Sequence, residues 1–186
     1  MLHRLFPYDP DAAPSAEGGP LFVARALQGP GRHDAPDAYG ALYLSRDAVS
    51  VVAELLRRFQ RQVVEPADLW WAPGRPYGLA TFEEPALGLL DLDDPANLVA
   101  RGLRPSEVAT ATRKVTQRYA RAIHAGGAAG LEWWSTLEAS WINVTLFAER
   151  AASALEQADL PEPLTLAHPV VREAAEAVGV SLAAPR

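Results

Sequence analysis

Arg25, Arg32, Tyr43, Glu54 and Ser135 are the side chains whose types and settings invite a chemical reading. Arg25 lies in the apolar run Leu21–Leu27, where strand alternation puts it on one face with Leu21 and Val23, an odd place for a solvated arginine. Arg32 follows the turn-forming run Gln28-Gly29-Pro30-Gly31. Tyr43 stands near the end of a short apolar strand, Ala41–Leu44. Glu54 is a carboxylate among Val51, Val52, Ala53, Leu55 and Leu56, bordering an apolar helical stripe. A lone acid in such a stretch needs a reason, because a carboxylate withdrawn from water is costly. Taken singly, each residue also has a structural explanation. The arginines read as surface ion-pair formers, Tyr43 as a half-buried aromatic, Glu54 as a salt-bridge partner and Ser135 as a turn residue.

Several chemistries are excluded or disfavoured outright. There is no cysteine, which removes disulfides, thiolate metal sites and a cysteine nucleophile. No Walker loop or GxGxxG is present, and Ser135 has neither a GxSxG setting nor a nearby His–Asp pattern. His3, His33, His124 and His168 lack metal-ligand spacing and read as structural or solvated. Asp91, Asp93 and Asp94 are better explained as a helix start than as cation ligands. Trp70-Trp71 and Trp133-Trp134 read as core or groove wall. A net charge of −6 argues against a nucleic-acid partner. No run of 18 apolar residues suggests a membrane span, and the N-terminus lacks an apolar signal core, so a cytoplasmic location is expected.

The elements that must position these side chains follow from periodicity and punctuation. Residues 1–19 are rich in Pro, Gly, Ala and Asp and read as an extended arm, with one domain over 20–186. Leu21–Leu27 and Ala41–Leu44 read as strands. A helix is predicted from about Ser45 as N-cap, with Ala48, Val51, Val52, Leu55, Leu56 and Phe59 as its stripe and Arg57, Arg58 and Arg61 on the solvated side. Short strands are predicted at Leu69–Trp71, Tyr77–Phe82 and Leu87–Leu92. A short helix over Ala96–Ala100 comes next, then one long helix from Pro105 to about His124, closed by Gly126-Gly127. Ile142–Phe147 reads as a strand, and Ala148–Ala158 and Val170–Val178 as helices. Irregular alternation of helices and short strands indicates α+β.

Order and spacing change the weight of the five residues. The stretch GRHDAPDAYGALYLSRDAVSVVAE resembles the RES domain family, with its Gly-Arg turn, apolar strand ending in Tyr, and helix carrying Ala-Glu. LLDLDDPANLVARGLRPSEV resembles the middle of that family. TQRYARAIHAGGAAGLEWWS followed by INVTLF resembles its end, where a Gly-Leu pair leads to the serine and a strand with Asn-x-x-Leu-Phe comes after. Three departures stand out. Ala24 precedes Arg25 where an aromatic is usual, His33-Asp34 follow the Gly-Arg turn where an aromatic and Asn are common, and Trp133-Trp134 precede Ser135.

The resemblance implies an ADP-ribosyltransferase-like fold that binds NAD+ and cleaves its bond to nicotinamide, by hydrolysis or phosphorolysis, with no metal. Carried onto this sequence, Arg25, Tyr43, Glu54 and Ser135 are implied as catalytic, and Arg25, Arg32, Tyr43, Ser135 and Asn143 as contacts to NAD+. It further implies the toxin of a RES–Xre toxin–antitoxin pair, neutralised by an Xre-type helix-turn-helix antitoxin, with water or phosphate as acceptor. A homodimer within a larger toxin–antitoxin complex is one expected form. Alternatives within the same fold are protein ADP-ribosylation and a partner-binding domain without catalysis.

Overall fold

The computed structural model describes residues 1–84 and 86–184. Ten strands and six helices occur among them. In chain order they are β1 (Leu2–Pro7), β2 (Ala41–Ser45), α1 (Ala48–Leu56), β3 (Val63–Val64), β4 (Trp70–Ala72), β5 (Arg75–Phe82), β6 (Leu89–Asp91), α2 (Pro95–Ala100), α3 (Pro105–Ala109), α4 (Arg113–Ala125), β7 (Gly130–Trp134), β8 (Ile142–Phe147), α5 (Ala148–Ala151), β9 (Glu162–Pro163), α6 (Pro169–Val178) and β10 (Ser181–Leu182). Contacts divide the chain into two compact units. The first holds residues 1–22, 45–83 and 157 onward, the second residues 23–44 and 84–156.

In the first unit β5 pairs antiparallel with β1 in continuous register, from Leu2 opposite Phe82 to Pro7 opposite Tyr77. β4 and β9 also pair with β5. Residues 1–19, expected as an arm with little to bury, instead open with β1, whose Leu2 and Phe6 are buried. Those two residues are four apart, so period-2 alternation sends both to one face. α1 packs against α6 and β1. Its N-cap is Asp47, not Ser45: the Asp47 carboxylate accepts from the Val49 N–H at 2.7 Å, while Ser45 is the last residue of β2. β10 pairs in parallel with β3.

In the second unit the strand order is β2-β8-β7-β6, with β8 antiparallel to β7 and β6 parallel to it. A core of Leu90, Leu131, Trp133 and Phe147 from the strands, with Leu92 just after β6, packs against Tyr119, Ala120 and Ile123 of α4 and against Ala35 and Tyr39. Gly130 in β7 has a steric reason, since a Cβ there would come within 2.5 Å of the Thr145 carbonyl oxygen on the paired strand. Two sequence expectations fail here. Leu21–Leu27 is not a strand, and Arg25–Leu27 form a 3-10 turn. The long helix expected from Pro105 is broken between Ala109 and Arg113. Arg32 accounts for the break, because its guanidinium binds the Val108 and Thr110 carbonyls at 3.0 and 2.8 Å. Those oxygens are thereby satisfied without a continuing helix. The helix expected over Ala148–Ala158 shortens to α5 plus a 3-10 turn at Ala152–Ala154. The α+β class holds, as a mostly antiparallel mixed sheet flanked by helices. No helix among the described residues is long and apolar enough to cross a membrane.

Candidate functional site

The turn Gly29–Asp34 is built by its own side chains and by α4. The Asp34 carboxylate accepts from the Gly29 and Gly31 N–H groups, both at 2.7 Å, and from the Tyr43 hydroxyl at 2.6 Å. A Cβ on Gly31 would lie within 2.6 Å of that carboxylate, so this position needs glycine for close approach. The turn carbonyls face outward to α4. Arg113 Nε donates to Pro30 O at 3.1 Å, Gln117 Nε2 to Gly29 O and Gly31 O at 2.8 and 2.9 Å, and the Thr116 hydroxyl to Arg32 O. The backbone polar groups of the turn named here are thus paired with side chains, which fixes its conformation.

His33 is the hub of this unit. Its imidazole is fully buried, with Nδ1 at 2.8 Å from Thr145 Oγ1 and Nε2 at 2.9 Å from the Tyr119 hydroxyl. Its N–H donates to the Tyr43 hydroxyl at 2.9 Å and its carbonyl accepts from the Tyr39 hydroxyl at 2.7 Å. Trp133 lies edge-on to the ring at 5.2 Å, and its indole N–H donates to Thr145 Oγ1 at 3.3 Å. Burial, and then the positive charges of Arg32 and Arg113, hold the His33 pKa well below its usual value. The ring is therefore neutral at pH 7, with one nitrogen a donor and the other an acceptor. The expectation that His33 is structural holds, yet its centrality had only one signal in the sequence, the departure from an aromatic at this position.

The β7–β8 register brings further candidates together. Leu131 opposes Thr145 and Trp133 opposes Asn143, so these four side chains share one face of the ladder. Ser135 continues the same alternation, and its N–H bonds the Trp141 carbonyl at 2.7 Å. Its hydroxyl accepts from the Leu137 N–H at 3.1 Å, in keeping with a turn role. The Arg32 guanidinium stacks over Trp133 with its carbon 4.7 Å from the ring centroid. Tyr43 stacks on His33 at 6.4 Å. Burial, then the Asp34 charge, raise the Tyr43 pKa, so its hydroxyl stays protonated and is committed to His33 and Asp34. What Tyr43 offers a ligand is its ring. Arg32, Tyr43, Ser135 and Asn143 thus converge within the second unit.

The other two candidates, Arg25 and Glu54, are held by other contacts. Arg25 Nε donates to the Pro36 carbonyl at 2.5 Å and its Nη1 pairs with Glu149 at 2.7 Å. Glu149 in turn accepts from the Gly40 N–H at 3.0 Å, so Arg25 and Glu149 together tie the Pro36 and Gly40 backbone to α5. Glu54 belongs to the first unit, on α1, where it pairs with Arg57 at 3.3 Å. Its side chain keeps 36% of its surface exposed, so the expected apolar setting is only half realised and solvent screens its charge. Among the described residues no group of three or more His, Cys, Asp or Glu could hold a metal ion. Asp94 caps α2 by accepting from the Ala96 N–H at 2.8 Å, which favours the helix-start reading of that acidic run.

The chain matches the RES domain over residues 2–167. It belongs to the RES domain family. Its fold resembles that of a chain in the crystal structure of the M. tuberculosis MbcT–MbcA toxin–antitoxin complex, with a TM-score of 0.64 and 19% identity, covering 96% of this chain and 88% of that one. No curated protein matches it. The expected α+β architecture, a mixed sheet flanked by helices, is thereby borne out at the level of fold.

Proposed function

We propose that this RES domain is the toxin of a toxin–antitoxin pair, that it binds NAD+, and that it breaks the bond between nicotinamide and ribose. The observation that carries this reading is family membership across residues 2–167 with Arg32, Tyr43, Glu54 and Ser135 kept in the family's order. An arginine fork suits a pyrophosphate. In this reading Arg32 faces the phosphates, the Tyr43 ring packs on the nicotinamide or ribose, and Asn143 and Ser135 hydrogen-bond substrate. Arg25 keeps a structural task, given its ties to Pro36 and Glu149. Glu54 is the carboxylate that stabilises the oxocarbenium-like ribose, as carboxylates do in glycoside hydrolysis. The C–N bond electrons leave with nicotinamide. Water or phosphate then supplies the oxygen that bonds to the ribose carbon and releases a proton. The partner is an Xre-type helix-turn-helix antitoxin, and the setting is the cytoplasm.

The test is nicotinamide release from NAD+ by the purified chain, with and without phosphate, for wild type and Glu54→Ala. Turnover that needs Glu54 supports the reading, and the phosphate dependence separates phosphorolysis from hydrolysis. No turnover, or turnover unchanged by Glu54→Ala, overturns the mechanism. Label appearing on protein instead of on free ADP-ribose would identify protein ADP-ribosylation. One observation favours a second reading, a partner-binding domain without catalysis: both the Arg25 fork and the Tyr43 hydroxyl are spent on internal contacts. That reading expects no NAD+ binding by calorimetry together with intact antitoxin binding.

A further inference from the structure

The proposed reading assigns one arginine, Arg32, to a substrate that carries two phosphates. A second arginine is fastened to the same turn. Arg113, the first residue of α4, donates from Nε to the Pro30 carbonyl at 3.1 Å. Arg32 reaches the opposite way, from the turn to the Val108 and Thr110 carbonyls ahead of α4. The two arginines thus clasp the turn and the segment before α4 reciprocally, each gripping backbone a few residues from the other. Both charges act on the buried His33 ring and on the Tyr119 hydroxyl, in keeping with two guanidinium groups at one corner of the second unit.

The clasp spends the two side chains differently. Arg32 gives Nη1 to both carbonyls and stacks over Trp133. Arg113 gives only Nε, and its Nη1 and Nη2 have no partner among the described residues. The Nε bond restricts an otherwise exposed side chain, so its remaining donors are held at the turn with less entropy left to lose on binding. The turn's own carboxylate does not neutralise it, because Asp34 is taken up by the Gly29 and Gly31 N–H groups and the Tyr43 hydroxyl. Over residues 29–34 and 110–117 three cations, Arg32, Arg113 and Lys114, stand against that one acid. This local excess is what a bound phosphate meets, since screening at physiological salt limits the reach of exposed remoter acids to about 8 Å. The contacts also give an order. Tyr43 stacks on His33, His33 meets Trp133, and Arg32 covers Trp133. Arg113 joins that series only through the turn at Pro30, at the end away from Tyr43.

We infer that Arg113 is a second phosphate-binding residue, holding the adenosine-side phosphate of NAD+ while Arg32 faces the phosphate nearer nicotinamide. The inference rests on the NAD+ reading above and adds a residue to it. Nη1 and Nη2 of Arg113 match two oxygens of one phosphate, a geometry that lysine does not reproduce. No bond is made or broken at Arg113. Its task is to bind and orient the end of the substrate remote from the reacting ribose.

The test compares the full chain with Arg113→Gln and Arg113→Lys, each checked for folding by circular dichroism. Steady-state nicotinamide release gives KM and kcat for NAD+, and calorimetry gives Kd for ADP-ribose. Arg113→Gln is expected to raise both KM and Kd on the order of tenfold, with kcat little changed, and Arg113→Lys to recover part of the loss. NMN+, which lacks the adenosine-side phosphate, is expected to compete equally well in wild type and variant. Unchanged KM and Kd, a fall in kcat alone, or NMN+ weakened as much as NAD+ overturns the inference and leaves the NAD+ reading standing. A raised KM for inorganic phosphate with that for NAD+ unchanged also overturns it, since the fork then serves the acceptor. If wild type cleaves no NAD+, ADP-ribose binding decides. Binding that Arg113→Gln weakens keeps the phosphate assignment and removes only the cleavage, whereas binding that is absent or unchanged in the variant overturns the assignment.

Discussion

Burial of a neutral His33 makes the stability of this protein acid-sensitive in a way that can be assigned to one residue. The ring is enclosed by Tyr119, Thr145, Trp133 and Tyr43, with Arg32 and Arg113 the charges that bear on it. Its folded pKa lies well below the usual 6.5. Above that ordinary value both folded and unfolded states are neutral, and His33 contributes no pH dependence. Below it the unfolded chain takes up a proton that the folded chain refuses, so stability falls as pH falls, until the folded pKa is reached. A full proton difference corresponds to about 1.4 kcal/mol per pH unit. From pH 8 to pH 5 the loss attributable to His33 then reaches at most about 2 kcal/mol. His3 and His124 are also shifted downward by burial and add their own acid sensitivity, so the total curve cannot isolate one residue. A difference does isolate it. His33→Gln keeps one hydrogen bond of the ring and loses the other, costing about 1–3 kcal/mol at pH 8. Without the titrating group, the gap between wild type and variant narrows by at most about 2 kcal/mol at pH 5. Urea unfolding followed by circular dichroism at both pH values measures the gap. Parallel stability curves for the two proteins would show that the folded state accepts the proton freely, and the buried-neutral assignment would fall.

Tyr43→Phe removes the donor to Asp34 and the acceptor for the His33 N–H, and is expected to cost about 1–3 kcal/mol in urea unfolding while leaving the ring for ligand contact. Arg32→Lys keeps the charge but loses the Nη1 bonds to the Val108 and Thr110 carbonyls and the stacking on Trp133. A loss of about 1–2 kcal/mol in thermal unfolding is expected, with weaker NAD+ binding by calorimetry if the proposed role holds. Glu54→Gln is expected to leave stability within about 0.5 kcal/mol, because its pair with Arg57 is solvent-exposed. Nicotinamide release is expected to drop on the order of a hundredfold or more in the same variant. Gly130→Ala forces a Cβ against the Thr145 carbonyl on β8 and is expected to destabilise by about 2 kcal/mol or more, measured by thermal unfolding.

What was legible in the sequence followed short-range rules. The acidic run ending at Asp94 as a helix start, the short helix near Ala96–Ala100 and the strand at Ile142–Phe147 depend on residues a few positions apart, and the structure agrees with each. The motif order placed Arg32, Tyr43, Ser135 and Asn143 in one reading, and the second unit brings them around one face of β7 and β8. The failures came from long-range partners. The helix from Pro105 breaks because a side chain 76 positions away in sequence takes the Val108 carbonyl. Arg25 looked out of place on a strand, but no strand forms there, and its guanidinium binds the Pro36 carbonyl and Glu149, 124 positions further along the chain. His33-Asp34 were read as departures from a family pattern, without a reason for the pair. The structure supplies one. Asp34 closes the Gly-Arg turn and holds the Tyr43 hydroxyl, and that hydroxyl then receives the His33 N–H, leaving the His33 ring to join Thr145 on β8 to Tyr119 on α4. A Phe at position 33 would keep the packing against Trp133 but leave the Thr145 and Tyr119 hydroxyls each without its ring partner. The two departures are therefore coupled to Tyr119 and Thr145, and a substitution at any one of the four should be judged with the other three in view.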